Sequence, residues 1–461
     1  MELALKNISK VVQNLFLLAL AEPSFLEAEK IKITLPTDEA QWKLWLELAR
    51  HNGVQPFLAI NLKRLGLDKS ALVSPTILAE LEDTRNKTLA RNLKRWKGAG
   101  PLLDKFDQLQ IPWMILKGNA LADEVYGDSG YKKMNDLDLL VKRADIPRVV
   151  AVFKEEGLLT AAPAPIKDFE KLARFSHHLQ PYGGRDLSYM VGIHWNLVNP
   201  LRGPKILEEN LWARKISTTA GGRSVTRLGD ADFLNHLCLH LSTYKAGIRE
   251  IGDIVNAVRA FSKNREFKQK FLEVVQETGS QEDVFRSLSL AQIVSMSEGE
   301  SFYSEVLKAI VPKVSAKLKR RMAARRRNPQ GPAFTRTTHV GRIEKAYAFF
   351  SMTDSPLEKG RWLAVMWKNW LFAPSSEAYR LDFKIPQKNI VATAVCRLKA
   401  PYRVAEAFAH DLGWNIFFFS IAKHHWDLAK SLTHRSKPSS EDSENQKATG
   451  RAIRDAIAEL E

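Results

Sequence analysis

Residues 132–141 read KKMNDLDLLV. In extended backbone, alternate side chains share a face, so Asp136 and Asp138 project together from an otherwise apolar run. Adjacent carboxylates repel, and each resists ionisation unless a cation compensates. Hard, oxygen-seeking Mg2+, with Mn2+ as its stand-in, suits such a pair and is usually shared with substrate phosphates. The plain alternative is a solvated strand end whose aspartates face water, and a bare Asp-x-Asp does not decide between the two.

The flanking text adds to the choice. Upstream, IPWMILKG (111–118) is a short apolar run closed by glycine, as expected of a buried strand entering a turn. NALADEVYG (119–127) follows as a short helix. Lys117, Gly118 and Asn119 thus sit at a strand-to-helix turn. Backbone N–H groups, the positive helix end and a lysine there can face a polyphosphate. Downstream, ADIPRVVAVFKEEGL (144–158) reads as a helix, with Asp145 as its N-cap and Gly157 past its end. A further strand is expected in DLSYMVGIHWNLV (186–198). A phosphate-facing turn followed, after one helix, by a paired-carboxylate strand is what metal-assisted phosphoryl or nucleotidyl transfer needs.

Around this β-α-β-α-β core the chain reads as helical. DEAQWKLWLELARHNGVQPFLAINLKRLG (38–66) has apolar residues at helical spacing, with Gly53 stopping one helix and Pro56 starting the next. Residues 76–109 form a further long amphipathic stretch of one helix or two, and amphipathic patterns resume from Asp230. The expected organisation is a helical segment at 1–105 packing on an α/β core at 106–228. A helical region at 229–330, a helical extension at 331–434, and a polar linker with a short terminal helix at 435–461 follow. The fold class is α+β: a small mixed sheet with N-terminal helices and a larger C-terminal helical region.

Hydrophobic residues make up 45% of the 461, as in ordinary globular proteins, and the formal net charge is +17. That charge favours anionic partners without saying anything about fold. Two cysteines, Cys238 and Cys396, exclude a disulfide framework and fit a reducing cytoplasm. The apolar run ending at Ala19-Leu20-Ala21 has the outline of a secretory leader, but reads better as a buried helix stripe ending before Pro23. No stretch is long enough for a membrane span.

Other candidates are weaker. His236 and His240 lie four apart on a helix, but Leu237 follows His236, so no His-Glu-x-x-His motif exists and both read as core or interface histidines. His424 and His425 diverge on a helix and do not share a metal. Lys313–Arg327 contains no acidic residue. It reads equally as a solvated connector or as a footprint for RNA or another anionic surface.

The stretch PWMILKGNALADEVYG…YKKMNDLDLLVKRADIPRVVAVFKEEGL resembles an uncharacterised, mostly bacterial nucleotidyltransferase family within the DNA polymerase β-like superfamily. HNGVQPFL before it, and IHWNL, LNHLCLH and IREIGDIVNAV after it, fall in that family's order. The resemblance covers residues 35–265 well and extends less securely to about 408. It implies Mg2+-dependent transfer of a nucleoside monophosphate from an NTP to a protein, RNA end or small molecule. It places Lys117 and Gly118 at the phosphate-side turn, with Asn119 beside them, and Asp136 and Asp138 at the metal. Lys132, a further candidate for the nucleotide phosphates, stands where the family often has arginine, keeping the charge but losing the planar fork. Asp253 also matches a family position, where it would anchor the helical region to the core.

One departure bears on catalysis. The family usually has a third carboxylate two residues before the histidine of its His-Trp pair; here VGIHW places Gly192 there. Asp186 has the same strand parity but lies roughly 20 Å away along the chain. His194 shares the face of Gly192 and reads first as an orienting core histidine, then as a replacement ligand or base. The expected protein is therefore a nucleotidyltransferase using Asp136, Asp138 and His194. The alternative is a catalytically weak or inactive relative that binds nucleotide or RNA.

Overall fold

The computed structural model describes residues 35–327, apart from 37, 70–72, 161–168, 170–172, 174–175, 180, 185–187, 199–203, 244–246 and 295–299. The N-terminal apolar run and the whole of the 331–461 organisation, with Cys396, His424 and His425, lie outside the described residues.

The fold is α+β. Its seven-stranded sheet has the order β3-β4-β5-β2-β1-β7-β6. The strands are β1 (Trp113–Ile115), β2 (Leu137–Val141), β3 (Leu159–Thr160), β4 (Tyr182–Gly183), β5 (Met190–His194), β6 (Ile216–Ala220) and β7 (Arg223–Arg227). β1 pairs antiparallel with β2, while β2 pairs parallel with β5, setting Asp138 opposite Gly192 and Leu140 opposite His194. Every residue of β1 and β2 is buried, as the continuous apolar runs require of strands in the middle of a sheet. The β6–β7 hairpin, which the sequence reading did not separate from the core, adds β7 parallel to β1.

Helices before the sheet follow their local signals. Glu39–Asn52 starts at Asp38, whose carboxylate accepts from Gln41 N at 2.8 Å, and stops at left-handed Gly53. Pro56 lies in the first turn of Gln55–Arg64. Pro75–Gln108 is one 34-residue helix, Pro101 included, burying Ile77, Leu81, Asn92, Trp96, Leu103 and Phe106 along one face. Asp145 does not cap the helix Ile146–Glu155 through its side chain. Its carboxylate instead accepts from Arg148 Nη1 at 2.7 Å.

After the sheet come the helices Asp230–Thr243, Ile248–Phe261, Phe267–Thr278, Gln281–Val294, Glu300–Ile310 and Ala316–Arg327. Asp230–Thr243 packs against the three that follow it. The last belongs to the basic run of 313–327 and is anchored by buried Leu318 and Met322. Arg227, buried at the end of β7, pairs with Glu124 and Asp230. It thereby ties the helix Gly118–Glu124 to the hairpin and the helical region. Among the described residues, no helix is long and apolar enough to cross a membrane.

Candidate active site

The site is built on the turn leaving β1. Leu116 N donates to Asp138 O at 3.0 Å, extending the sheet by one residue. Lys117 then takes φ 55° and ψ −131°, a conformation that costs a non-glycine residue about 1–3 kcal/mol. The surroundings hold it there. Lys117 O accepts from Ala120 N and Leu121 N, and Lys117 Nζ donates to Asp138 Oδ2 at 2.9 Å. The helix Gly118–Glu124 that follows has no side-chain N-cap.

Asp138 is buried in β2, and its other oxygen, Oδ1, lies 2.9 Å from His194 Nε2 on β5. A Cβ at Gly192 would stand 2.7 Å from the same Oδ1. The absent side chain is therefore what lets Asp138 and His194 meet across β2 and β5. Burial by itself would raise the Asp138 carboxyl, but Lys117 and the hydrogen bond from His194 hold it well below the usual carboxylate range. Asp136 precedes β2 and is half-buried, with its carbonyl accepting from Asn119 Nδ2 at 3.1 Å. Burial and the Asp138 charge push its carboxyl up, against the opposing pull of Lys117 and Arg95. The two carboxylates are thus unequal, with Asp138 the firmly ionised member.

His194 is pushed down to about 4, because burial outweighs the attraction of Asp138. It is neutral near pH 7. Because a carboxylate only accepts, Nε2 carries the proton and Nδ1 is left as a lone-pair nitrogen. Nδ1 is buried and has no hydrogen-bond partner among the described residues. The His177 and His178 rings lie 5.5 and 5.1 Å from that of His194, on a segment hydrogen-bonded to β5 through Leu179 N to Ile193 O and Trp195 N to His177 O. Burial also depresses His177, to about 2, and His236, whose two ring nitrogens are buried without hydrogen bonds among the described residues. The His236 and His240 rings are 6.3 Å apart.

These histidines set an acid limit. Between about pH 4 and 6.5 the unfolded chain binds a proton at residue 194 that the folded chain does not, so stability falls as pH is lowered through that window. The expected loss from His194 is about 3 kcal/mol by pH 4. The depressed Asp138 carboxyl removes its share only below about pH 4, and the raised Asp136 carboxyl opposes it. Denaturant unfolding at pH 7, 6, 5 and 4.5 checks this, with His194→Gln flattening part of the slope. A slope unchanged by the substitution would show that His194 is not the buried neutral group.

Lys132 is placed differently from the other basic residue of the sequence motif. It is buried, and its ammonium donates to Asp253 on the helix Ile248–Phe261. Tyr126 Oη donates to the other Asp253 oxygen at 2.6 Å, and Asn256 Nδ2 donates to Tyr126 Oη at 3.2 Å. A Cβ at Gly118 would fall 2.7 Å from Lys132 Cε, so the lysine stem runs directly against the turn. Its charge is committed to Asp253, which joins the helical region to the core, and braces the Lys117–Asn119 turn. The structure thus brings Lys117, Asp138 and His194 into one hydrogen-bonded group, with Asp136 and Asn119 adjoining.

Among the described residues, no group of three or more His, Cys, Asp or Glu side chains is arranged to hold a metal ion. Two carboxylates without a protein cage are a donor set that fits Mg2+, which commonly takes one or two carboxylates and completes its shell with phosphate and water oxygens.

A family model described as an uncharacterised nucleotidyltransferase matches residues 38–295, more than half of the chain. That span runs from the first described helix through the sheet to the helix Gln281–Val294. No curated protein matches, and no solved structure does.

Proposed function

The chain belongs to this uncharacterised nucleotidyltransferase family, and from that premise we propose that Asp136, Asp138, Lys117 and His194 form the centre of a Mg2+-dependent nucleotidyl transfer from an NTP. The observation that carries the reading is the meeting of Asp138 with Lys117 and His194, beside the second carboxylate of Asp136. Held by Asp136, Asp138 and the triphosphate, Mg2+, or Mn2+ in its place, would neutralise phosphate charge and acidify the acceptor.

The side chains divide the remaining work. Lys117 supplies positive charge to the triphosphate from the turn it shares with Gly118 and Asn119. His194 Nδ1 takes the acceptor proton, with the tautomer fixed by Asp138. The acceptor oxygen bonds to the α-phosphorus, the bond from that phosphorus to the bridging oxygen breaks, and pyrophosphate leaves. A base held near pKa 4 is weak at pH 7, so transfer is expected to be slow. The acceptor is a protein, an RNA end or a small molecule in a reducing cytoplasm. The basic helix ending at Arg327 is a second place for RNA or another anionic surface.

Thermal unfolding with ATP, GTP, CTP or UTP, with and without Mg2+, tests the reading without knowledge of the acceptor. Ligand at 100 times its dissociation constant adds about 2.7 kcal/mol. The expected result is a Mg2+-dependent rise of several degrees with at least one nucleotide. No rise with any of them overturns the proposal.

A second reading rests on Gly192, which removes the usual third carboxylate where Asp138 meets His194. It makes the protein a catalytically weak or inactive nucleotide- or RNA-binding relative. Mg2+-dependent nucleotide binding without pyrophosphate release, even at high protein concentration, would favour it.

A further inference from the structure

Arg95 lies on the long helix Pro75–Gln108 and belongs to no motif of the core. Its position is nevertheless tightly specified. Nη1 donates to Asn92 Oδ1 at 3.0 Å, and Asn92 is buried. The amide nitrogen of Asn92 donates to Ser129 O at 2.7 Å and Lys132 O at 2.8 Å. One asparagine therefore fixes the guanidinium against the loop that leads, four residues after Lys132, into Asp136. At the end of that loop Asn119 holds the Asp136 carbonyl. The loop is thus pinned at two points, by Asn92, which also holds Arg95, and by Asn119 of the Lys117 turn.

The guanidinium has unmet demand. Its Nε is buried without a hydrogen-bond partner, and no carboxylate lies within ion-pair distance among the described residues. Burial lowers its pKa and Asp136 partly restores it, so the arginine and the carboxylate act on each other electrostatically. A half-buried planar fork with spare donors, oriented by a neutral asparagine, is suited to a phosphate. The charges agree. Lys117 and Arg95 balance Asp136 and Asp138, and an incoming nucleotide adds negative charge for which the arginine has donors to spare.

We propose that Arg95 is a phosphate-binding residue of this site, gripping the triphosphate chain of the incoming nucleotide and favouring it over shorter phosphates. The inference rests on the nucleotidyl-transfer reading and assigns a second cationic grip in addition to Lys117. Asn92 is its positioning residue.

The test measures binding of Mg2+ with inorganic tripolyphosphate, with pyrophosphate, and with ATP, GTP, CTP and UTP. The proteins are the natural chain, Arg95→Gln, Arg95→Lys and Asp138→Asn. Loss of charge-assisted bonds to phosphate predicts roughly 10- to 100-fold weaker tripolyphosphate and NTP binding in Arg95→Gln. The loss should be smaller for pyrophosphate, and Arg95→Lys should recover only part of the affinity because it lacks the fork. If Arg95→Gln binds tripolyphosphate as tightly as the natural chain while Asp138→Asn does not, Arg95 only balances Asp136 and the proposal falls. If the natural chain binds none of the probes, the reading of the whole site falls with it. Unchanged unfolding of Arg95→Lys in the absence of ligand separates lost binding from lost structure.

Discussion

Asp138→Asn is expected to abolish any Mg2+-dependent stabilisation by nucleotide and to lower pyrophosphate release by about 100- to 1,000-fold, the scale set by losing a preorganised charge-stabilising group. The size of the effect follows from the three roles of this one carboxylate. An amide offers a metal one neutral oxygen in place of an ionised group. It also leaves Lys117 Nζ, now 2.9 Å from Oδ2, without its counter-charge. Third, it disturbs His194. The amide has one donating and one accepting end, whereas its neighbours Lys117 Nζ and His194 Nε2–H both donate. The amide oxygen takes the lysine, the amide nitrogen faces Nε2, and His194 must accept there and move its proton to Nδ1. The nitrogen assigned to receive the acceptor proton is then already protonated. His194 ring nitrogen chemical shifts would report this tautomer change without reference to activity. Retained Mg2+-dependent binding in Asp138→Asn would remove Asp138 from the site, whatever the turnover.

The parts of this site visible in the sequence are those whose signals are local. The period-two run ending in Val141, the glycine closing the β1 run and the flanking helical periods mark β1, β2 and β5, and with them the Asp136, Asp138 and Lys117 region. The edges of the sheet were harder to read. β3 and β4 have two residues each, too few to show a period. The hairpin from Ile216 to Arg227 is largely serine, threonine and arginine, with three of the five β6 side chains exposed, so little hydrophobic alternation marks it. Its local signal was Gly221-Gly222 between segments rich in β-branched residues, a hairpin turn pattern.

Side-chain destinations set by tertiary contact were not legible. Lys132 stands four residues before Asp136, a spacing compatible with a phosphate ligand. The intervening chain bends, however, and the ammonium meets Asp253, 121 positions away. Arg95 is separated from the carboxylates by a helix end, β1, the Lys117 turn and the helix Gly118–Glu124. A hint of it was present, since no acidic residue occurs between Thr84 and Leu103 while six basic ones do. Only tertiary contacts show which of the six meet the core: Arg85 pairs with Asp128, and Arg95 bonds to buried Asn92.

The second large effect belongs to Lys132 and Asp253. Asp253→Ala leaves a buried ammonium without its ion-pair partner, with Arg249 as a like-charged neighbour and only the weaker attraction of Glu250 against it. Removing one partner of a buried pair costs about 3–5 kcal/mol. In a protein of this size that lowers the melting midpoint by roughly 3–8 °C. Lys132→Met is expected to cost less, about 1–3 kcal/mol, because Asp253 keeps the Tyr126 hydroxyl and the attraction of Arg249. Lys132→Met combined with Asp253→Leu should recover part of the Asp253→Ala loss, since a packed apolar pair often replaces a buried ion pair without penalty. Denaturant unfolding of these variants gives the coupling between the two sites. The same proteins separate a brace beneath the turn from a phosphate ligand. A brace predicts that folded Lys132→Met binds Mg2+ and nucleotide with at most a few-fold loss, because the Lys117–Asp138 contact does not include Lys132. Natural stability together with lost nucleotide binding would return Lys132 to the phosphate side of the site.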